Sequence, residues 1–265
     1  YISVTGVQTC YLPIYSMAKL ASGSRINKAA DDAAGLAISE RMKAQIRSAA
    51  QAQRNANDGI SLVQTAEGGL NEIGNLIVRL RELGIQASSD TVGDKERGML
   101  NKEVVQLRDE IDRIANSTTW GSTKLLDGSA PVFDFQVGIG NSPDNDRISF
   151  NASEHSATLA SLGLSGLDYS TKEGAQEALA KLDNAQTNVN GTRAYMGAVQ
   201  NRLTSTADNL GVMQENLSAA NSRIRDTDVA QASSEMVRNN ILLQAATSTL
   251  AQANQSQQLA LKLIG

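Results

Sequence analysis

The sequence has few of the residues on which catalytic and metal-binding sites depend. Cysteine occurs once, as Cys10, and histidine once, as His155, in 265 residues. One cysteine excludes an intramolecular disulfide framework, and one histidine excludes a zinc helix with two histidine ligands. No catalytic motif surrounds His155, which lies in a polar segment where we expect it to be exposed. We therefore predict that the protein is not an enzyme and has neither a metal site nor a cofactor.

Aromatic rings, long apolar runs and positive charge are scarce as well. Aromatic residues make up 3% of the chain, although hydrophobic residues as a whole make up 41%. This composition favours thin helical bundles with alanine and leucine seams over a thick globular core. The formal charge of -4 predicts no nucleic-acid partner, because phosphate binding needs a concentrated basic face. No apolar run approaches a membrane span and no signal peptide opens the sequence, so if the protein leaves the cell we expect it to do so without a cleaved signal.

Apolar periodicity is the strongest feature that is present. Between Leu182 and Ile224, apolar or small residues recur at alternating steps of three and four, which is the pattern of a helix packed against other long helices. A helix of this length would extend about 65 Å at about 1.5 Å per residue, so it needs equally long partners. The seam positions are Leu182, Ala185, Val189, Thr192, Met196, Val199, Leu203, Thr206, Leu210, Met213, Leu217, Ala220 and Ile224.

Two earlier segments supply such partners. Gly23 marks one helix end, and Asp31 and Asp32 suit the start of the next helix. Its seam runs through Ile38, Met42, Ala49, Ala52, Ala56, Val63, Ala66, Leu70, Ile73, Ile77 and Leu80, and is widened by Leu62, Leu76 and Leu83. We expect the wider half, after Ile60, to be the better buried. A third seam consists of Leu100, Val104, Leu107, Ile111 and Ile114, so the pattern predicts a long antiparallel, coiled-coil-like bundle.

The period changes to two in the middle of the chain. Phe133, Phe135, Val137 and Ile139 alternate with polar or small residues, and Ile148 and Phe150 do so after a turn signal at residues 141–146. This pattern predicts one small β-hairpin within residues 130–152, followed by a loop at 153–171. Asp144, Asn145 and Asp146 could suggest calcium, but they lack the glycine and distal glutamate of an EF-hand, which favours a turn.

The apolar period slips between Arg225 and Asp228. This five-residue step predicts a helix break, with Asp226 or Asp228 capping the next helix. The stripe then resumes at Val229, Ala232, Met236, Leu243, Ala246, Leu250, Ala253, Ala260 and Ile264. Such a helix would be marginal alone, because only residues 1–22 remain to cover it.

Several runs of the sequence resemble bacterial flagellin closely. They are Leu20–Asn27, Ala30–Gly35, Gln53–Ile60, Gln64–Gly68, Arg79–Leu83, Glu110–Arg113, Gly197–Leu203, Glu215–Leu217, Ser222–Asp226, Asn239–Ile241 and Leu250–Asn254. They cover both arms of the chain but not the hairpin region. Residues 1–16, with Cys10 and Pro13, depart from the amphipathic helix with which flagellins usually begin.

The resemblance implies a secreted structural subunit that polymerises into the flagellar filament for swimming motility. Residues 1–24 and 227–265 would form a filament-core domain of paired terminal helices, and residues 25–226 a central bundle domain. The implied partners are other copies of the chain, an export chaperone, and hook-associated or cap proteins. An apolar stripe that one subunit cannot cover is a physical reason to polymerise. We therefore predict a self-assembly seam at Met236, Leu243, Leu250 and Ile264.

A receptor-recognition site is also implied by the resemblance. Arg79, Leu83 and Glu103 occupy the positions that contact the receptor in flagellins recognised by Toll-like receptor 5. The alternative interpretation is that Leu83 packs in the bundle while the charged residues form a solvated helix face.

Two other functions stay open at this point. The chain could be a surface-displayed protein of the same fold that binds a polysaccharide or a host receptor, which the small aromatic set Trp120, Phe133, Phe135 and Tyr169 would suit. It could also be a hook–filament junction protein, although the runs at 53–60 and 250–254 favour flagellin.

Overall fold

Helices account for most of the molecule. The computed structural model describes residues 14–264, with side chains through residue 256. The unusual N-terminal stretch with Cys10 and Pro13 therefore lies outside the described residues. The helices are α1 (residues 14–22), α2 (Ala33–Ala87), α3 (Asp94–Ser117), the one-turn α4 (Pro143–Asp146), α5 (Lys172–Arg225) and α6 (Val229–Ile264). The predicted mainly α fold built on long helices is confirmed.

The chain divides into two compact units. The larger unit is Ser48–Met213, and the described part of the smaller unit comprises residues 14–47 and 214–264. The long helices α2 and α5 contribute residues to both. This division by contacts differs from the domain boundaries near residues 24 and 227 that the family resemblance implied, and those boundaries stay a prediction.

The core of the Ser48–Met213 unit follows the predicted seams of α2, α3 and α5. The better burial expected for α2 after Ile60 is confirmed, since Leu76 is the one half-buried residue among those predicted there. Burying each large aliphatic side chain stabilises the fold by about 1.5–3 kcal/mol. The buried seam residues include Leu70, Ile73, Ile77, Leu80 and Leu83 on α2, Val104 and Ile111 on α3, and Leu182, Val189, Met196, Val199 and Leu203 on α5.

Other predicted seam positions are less buried. Ile38 is 49% exposed, and Met42, Leu217 and Ile224 are half-buried. A three-four period shows which residues share one face of a helix, but it does not show how many neighbours cover that face. These four positions belong to the smaller unit, where fewer buried apolar residues are found than in the larger one. In the larger unit, Leu100, Leu107 and Ile114 of the α3 seam are half-buried as well.

The predicted hairpin is present as β3 (Val132–Gln136) paired antiparallel with β4 (Arg147–Asn151). Phe133 lies opposite Phe150, and Phe135 lies opposite Ile148. Ile139 does not continue the strand and is 42% exposed, because the strand ends where the Val137 and Gly138 amides both donate to the Asp146 carbonyl at 2.9 Å. The sequence did not predict a second pair, β1 (Thr119–Trp120) with β2 (Thr123–Lys124), since two-residue strands are too short to show a period.

The acidic turn between β3 and β4 is closed by its own carboxylate. α4 lies within this connection. The Asp146 carboxylate accepts hydrogen bonds from the Ser142 amide at 2.8 Å and the Gly140 amide at 3.3 Å. Asp146 thus stabilises the loop through these hydrogen bonds, in agreement with the predicted turn.

The helix ends near the chain termini follow the predicted capping residues. Gly23 has φ +65°, the left-handed conformation that closes α1. The Asp32 carboxylate accepts a hydrogen bond from the Gly35 amide at 2.8 Å at the start of α2. Asp228 does the same for α6 by accepting from the Ala230 and Gln231 amides at 2.9 and 3.1 Å. The predicted break after Arg225 is therefore confirmed, with Asp228 as the cap.

Candidate functional site

One side of α6 packs within the smaller unit. Ala232 is 6% exposed, and Met236, Asn239, Leu243 and Ala246 are half-buried. The steps between them are four, three, four and three, so they lie along one side of the helix, which we call the inner stripe. The Asn239 amide donates a hydrogen bond to the Ser16 hydroxyl of α1 at 3.3 Å. The inner stripe therefore faces α1.

Exposed apolar side chains also lie on α6 outside the inner stripe. Val237, Ile241 and Leu242 are 53%, 60% and 54% exposed, and we call them the outer face. Together with Ser233, Ser234 and Arg238 they line a shallow surface groove. Large aliphatic side chains clustered on an exposed helix face commonly mark an interaction surface. The outer face is the largest such cluster on α6 among the side chains that the structure describes.

The predicted assembly seam coincides with the inner stripe and its continuation. Met236 and Leu243 are half-buried, whereas Leu250, one heptad further along, is 51% exposed. The side chain of Ile264 lies outside the described side chains. The role of these four residues in assembly stays a prediction. The outer face was missed, although three consecutive apolar residues, Ile241 to Leu243, signal that the apolar surface extends beyond one stripe.

The connection between α1 and α2 is hydrogen-bonded to the connection between α5 and α6. The Thr227 amide donates to the Gly23 carbonyl at 3.0 Å, and the Arg25 amide donates to the Arg225 carbonyl at 2.6 Å. The Arg225 guanidinium also forms an ion pair with Glu40 of α2. The start of α6 is therefore fixed relative to the connection between α1 and α2.

The three residues predicted to recognise a receptor occupy different environments. Arg79 forms ion pairs with Glu82 and Glu103, each at 2.9 Å, and about half of the Arg79 side chain is exposed. These two carboxylates raise the pKa of Arg79, chiefly through hydrogen bonds. Leu83, by contrast, is 2% exposed and belongs to the core. The described geometry thus presents Arg79 and Glu103 to solvent, while Leu83 packs beneath them.

His155 is not simply exposed, as the sequence analysis expected. It lies in the 3-10 turn Ser153–His155 and is half-buried. Its ring centroid lies 4.4 Å from that of Tyr195 on α5 and 6.2 Å from that of Phe150 on β4. The polarity of the neighbouring residues misled the expectation, because the ring partners are 5 and 40 positions away in the sequence.

The aromatic residues considered for ligand binding do not share one environment. Phe133 stacks on Phe150 with centroids 6.3 Å apart. Tyr169 is fully buried, and its hydroxyl donates a hydrogen bond to the Leu80 carbonyl at 3.0 Å. Trp120 is 39% exposed at the two-residue strand β1. Phe133, Phe135 and Tyr169 therefore belong to the core or pack against it, whereas Trp120 lies apart from them. No helix in the described part of the chain is both long and apolar enough to cross a membrane.

Both arms of the chain match models of known protein regions. Residues 15–130 match the bacterial flagellin N-terminal helical region, and residues 179–264 match the bacterial flagellin C-terminal helical region. The chain is 45% identical to a flagellin of Halalkalibacterium halodurans, over 94% of this chain and 90% of that protein. It is 41% identical to the flagellar filament 30.7 kDa core protein of Treponema maltophilum, over 93% and 90% of the two chains.

Solved structures show the same architecture. The crystal structure of Bacillus cereus flagellin aligns with a TM-score of 0.53 at 31% identity, covering 59% of this chain and 88% of that one. A putative flagellar hook-associated protein from Vibrio parahaemolyticus aligns with a TM-score of 0.61 over 74% of this chain and 100% of that one. At 13% identity, the second alignment shows a shared fold and nothing further.

Proposed function

The chain belongs to the bacterial flagellin family and is a structural subunit of the flagellar filament; we propose that its copies join through the outer face of α6. The observation that carries this proposal is the exposure of Val237, Ile241 and Leu242 in the single chain. Burying the exposed half of one such side chain on assembly contributes on the order of 1 kcal/mol, and the contribution repeats in every subunit. A head-to-tail contact that does not close gives a helical filament.

The predicted seam supplies a second candidate assembly surface, on another side of α6. Leu250 continues the inner stripe but is 51% exposed, so the stripe is covered over only part of α6. We expect Met236 and Leu243 to pack α6 against its own chain. Leu250 and Ile264 should become buried against another subunit in the filament.

Seeded polymerisation tests the role of the outer face. Short filament fragments are added to monomer under salting-out conditions, and growth is followed by light scattering and electron microscopy. The variant Ile241→Asp places a charge on the outer face, where burying it would be costly, so we expect it not to elongate the seeds. Far-UV circular dichroism of the monomer should be unchanged, because Ile241 is 60% exposed.

The matched control is Asn240→Asp, which adds the same charge to the neighbouring exposed position of α6. This variant should elongate seeds as the unmodified chain does. Elongation by Ile241→Asp at the rate of the control would contradict an outer-face contact. The seam at Leu250 and Ile264 would then be the next surface to test.

A second proposal concerns recognition by a host. Arg79 and Glu103 are offered as the charged part of a surface for Toll-like receptor 5, with Leu83 fixing the helix beneath them. The supporting observation is that the Arg79 guanidinium is held at 2.9 Å from both Glu82 and Glu103 while remaining half exposed. A charged group held in place loses less conformational freedom when it binds.

Binding to the purified receptor ectodomain tests this proposal. Arg79→Ala should weaken binding, whereas Arg113→Ala should not, although Arg113 forms a comparable exposed ion pair with Glu110 at 2.6 Å on α3. Equal affinities for the two variants would remove Arg79 from the proposed surface.

The remaining partners follow from family membership. Flagellar filaments are extracellular, so the chain has to be exported. We propose that an export chaperone and hook-associated or cap proteins bind it before and during assembly, and that it leaves the cell without a cleaved signal peptide. A polysaccharide partner has no support from the aromatic residues considered above, which do not share one exposed site.

A further inference from the structure

The single histidine of the chain lies where a turn contacts helix α5. His155 ends the 3-10 turn Ser153–His155, and its ring lies against Tyr195 of α5 with centroids 4.4 Å apart and planes inclined by 34°. The Phe150 centroid lies 6.2 Å from those of both His155 and Tyr195, and its ring is inclined by 18° to the imidazole. The three rings therefore form one cluster, in which the imidazole contacts a strand and a helix of the larger unit.

One backbone hydrogen bond ties the turn to its surroundings. The Ala157 amide donates to the Leu126 carbonyl at 2.8 Å, whereas the bond from the His155 amide to the Ala152 carbonyl at 3.2 Å closes the turn itself. Ala152 and Ala157 are both buried. We call residues 152–157 the latch segment, because the hydrogen bond to Leu126 and the contacts of the His155 ring hold it to the rest of the larger unit.

We propose that His155 is an acid-sensitive latch, whose neutral imidazole packs the latch segment onto α5 and whose protonation loosens that packing. The Tyr195 and Phe150 rings cover part of the imidazole, and a cation removed from water is destabilised unless other groups compensate. This device goes beyond filament assembly and does not depend on the assembly surface.

The charged groups around the ring decide the direction of the effect. Glu154 on the same turn favours the protonated form, but burial is the larger influence, so the pKa of His155 lies below its usual value of 6.5. Tyr195 offers the face of a neutral ring, which adds a modest attraction for a cation. On α5, Arg193 lies 4.0 Å from Glu67 of α2, and near the Leu126 carbonyl Asp127 lies 3.5 Å from Lys124. The charges on these neighbouring elements are thus accompanied by opposite charges.

The linkage follows from the lowered pKa. The closed latch is favoured above pH 6.5, where the imidazole is neutral in both the open and the closed state. As the pH falls from 6.5 to the pKa of the closed state, the open state binds more protons. The opening equilibrium constant then rises about tenfold for each pH unit between the two pKa values. No other histidine is present in the sequence to produce a response in this range.

Hydrogen exchange of the full-length monomer tests the latch. Protection factors of the Ala157 amide, which correct for the intrinsic effect of pH, are compared at pH 7.5 and pH 5.5. In the unmodified chain we expect protection to fall several-fold at the lower pH. In His155→Phe, which keeps a ring but cannot be protonated, protection should be the same at both values.

A second measurement does not depend on a variant. A proton NMR titration of the single imidazole should give a midpoint below 6.5, with chemical shifts of Ala157 changing over the same range. A midpoint at or above 6.5, or a loss of Ala157 protection that persists in His155→Phe, would overturn the proposal.

Discussion

The Ser48–Met213 unit and helix α6 use similar apolar periods with opposite results. In the larger unit, the seams of three helices face one another, and side chains such as Ile73, Ile77 and Leu80 are fully buried. Along α6, Ala232 is the one buried residue among the side chains described through residue 256. The same kind of sequence pattern therefore forms a completed core in one region and a largely uncovered helix in the other.

This difference separates the stability of the subunit from the stability of the assembly. Residues in the larger unit have neighbours in their own chain, so their substitution should affect the isolated monomer. The outer face of α6 has its apolar side chains in solvent, so its substitution should have its main effect once copies join. Variants in the two regions can establish whether this separation holds.

The largest effect on the monomer is expected from Ile77→Ala. Ile77 is fully buried on α2, and truncating a buried isoleucine to alanine costs about 2–5 kcal/mol because it leaves a cavity. Chemical denaturation of the monomer, followed by far-UV circular dichroism, measures the change in unfolding free energy. The matched substitution Ile241→Ala on the outer face should change it by no more than about 0.5 kcal/mol. Comparable losses in both variants would mean that the outer face is already packed in the monomer.

Much of this contrast could be predicted from the sequence. The three-four period identified the buried faces of α2, α3 and α5, and the break after Arg225 followed from a change of phase, with Asp226 and Asp228 both left as possible caps. These features depend on residues close together along one helix, so a single sequence contains the information. The exposure of Ile38 depends on which neighbours cover it, and the period does not contain that information.

The candidate surfaces were less predictable for the same reason. Arg79 and Glu103 are 24 positions apart in the sequence, and their ion pair requires the turn between α2 and α3. His155 meets Tyr195 across 40 positions, which no local pattern indicates. One local feature of the sequence does indicate the outer face of α6. Ile241, Leu242 and Leu243 together extend over about 200° of the helix circumference, so they cannot all face one partner.

An intermediate effect is expected from Tyr169→Phe in the larger unit. The buried Tyr169 hydroxyl donates to the Leu80 carbonyl at 3.0 Å, and losing one such bond costs about 0.5–1.5 kcal/mol. Chemical denaturation at pH 7 measures this loss.

The fall in unfolding free energy at alkaline pH gives a second test of the same hydroxyl. Burial raises the pKa of Tyr169 from 10.0 to about 12. A raised pKa contributes stability that is present below pH 10 and is lost as the pH rises towards 12. The phenylalanine variant should therefore lose less stability over that range than the unmodified chain. An equal loss of stability in the two proteins over this pH range would indicate that the hydroxyl is not buried.

The smallest effect is expected in the smaller unit, from Glu40→Gln. A hydrogen bond from Arg225, aided by the charges of Lys43 and Arg225, holds the pKa of Glu40 below its usual value of 4.5. A lowered carboxyl pKa contributes stability that is present above pH 4.5 and is lost as the pH falls through the pKa of the folded state. About half of the Glu40 side chain is exposed, so water and salt weaken the ion pair.

Thermal unfolding at two pH values isolates this contribution. Glu40→Gln should lower the Tm slightly at pH 7, by less than Tyr169→Phe, and should lower it by a smaller amount at pH 3, because stability from a lowered carboxyl pKa is lost as the pH falls below 4.5. Glu215→Gln, at an exposed position of α5 in the same unit, removes the same charge as a control. If both variants change the Tm equally at pH 7, net charge rather than the contact between Glu40 and Arg225 accounts for the loss. A larger loss for Glu40→Gln would show that this contact stabilises the smaller unit, in which most of the described α6 side chains are exposed.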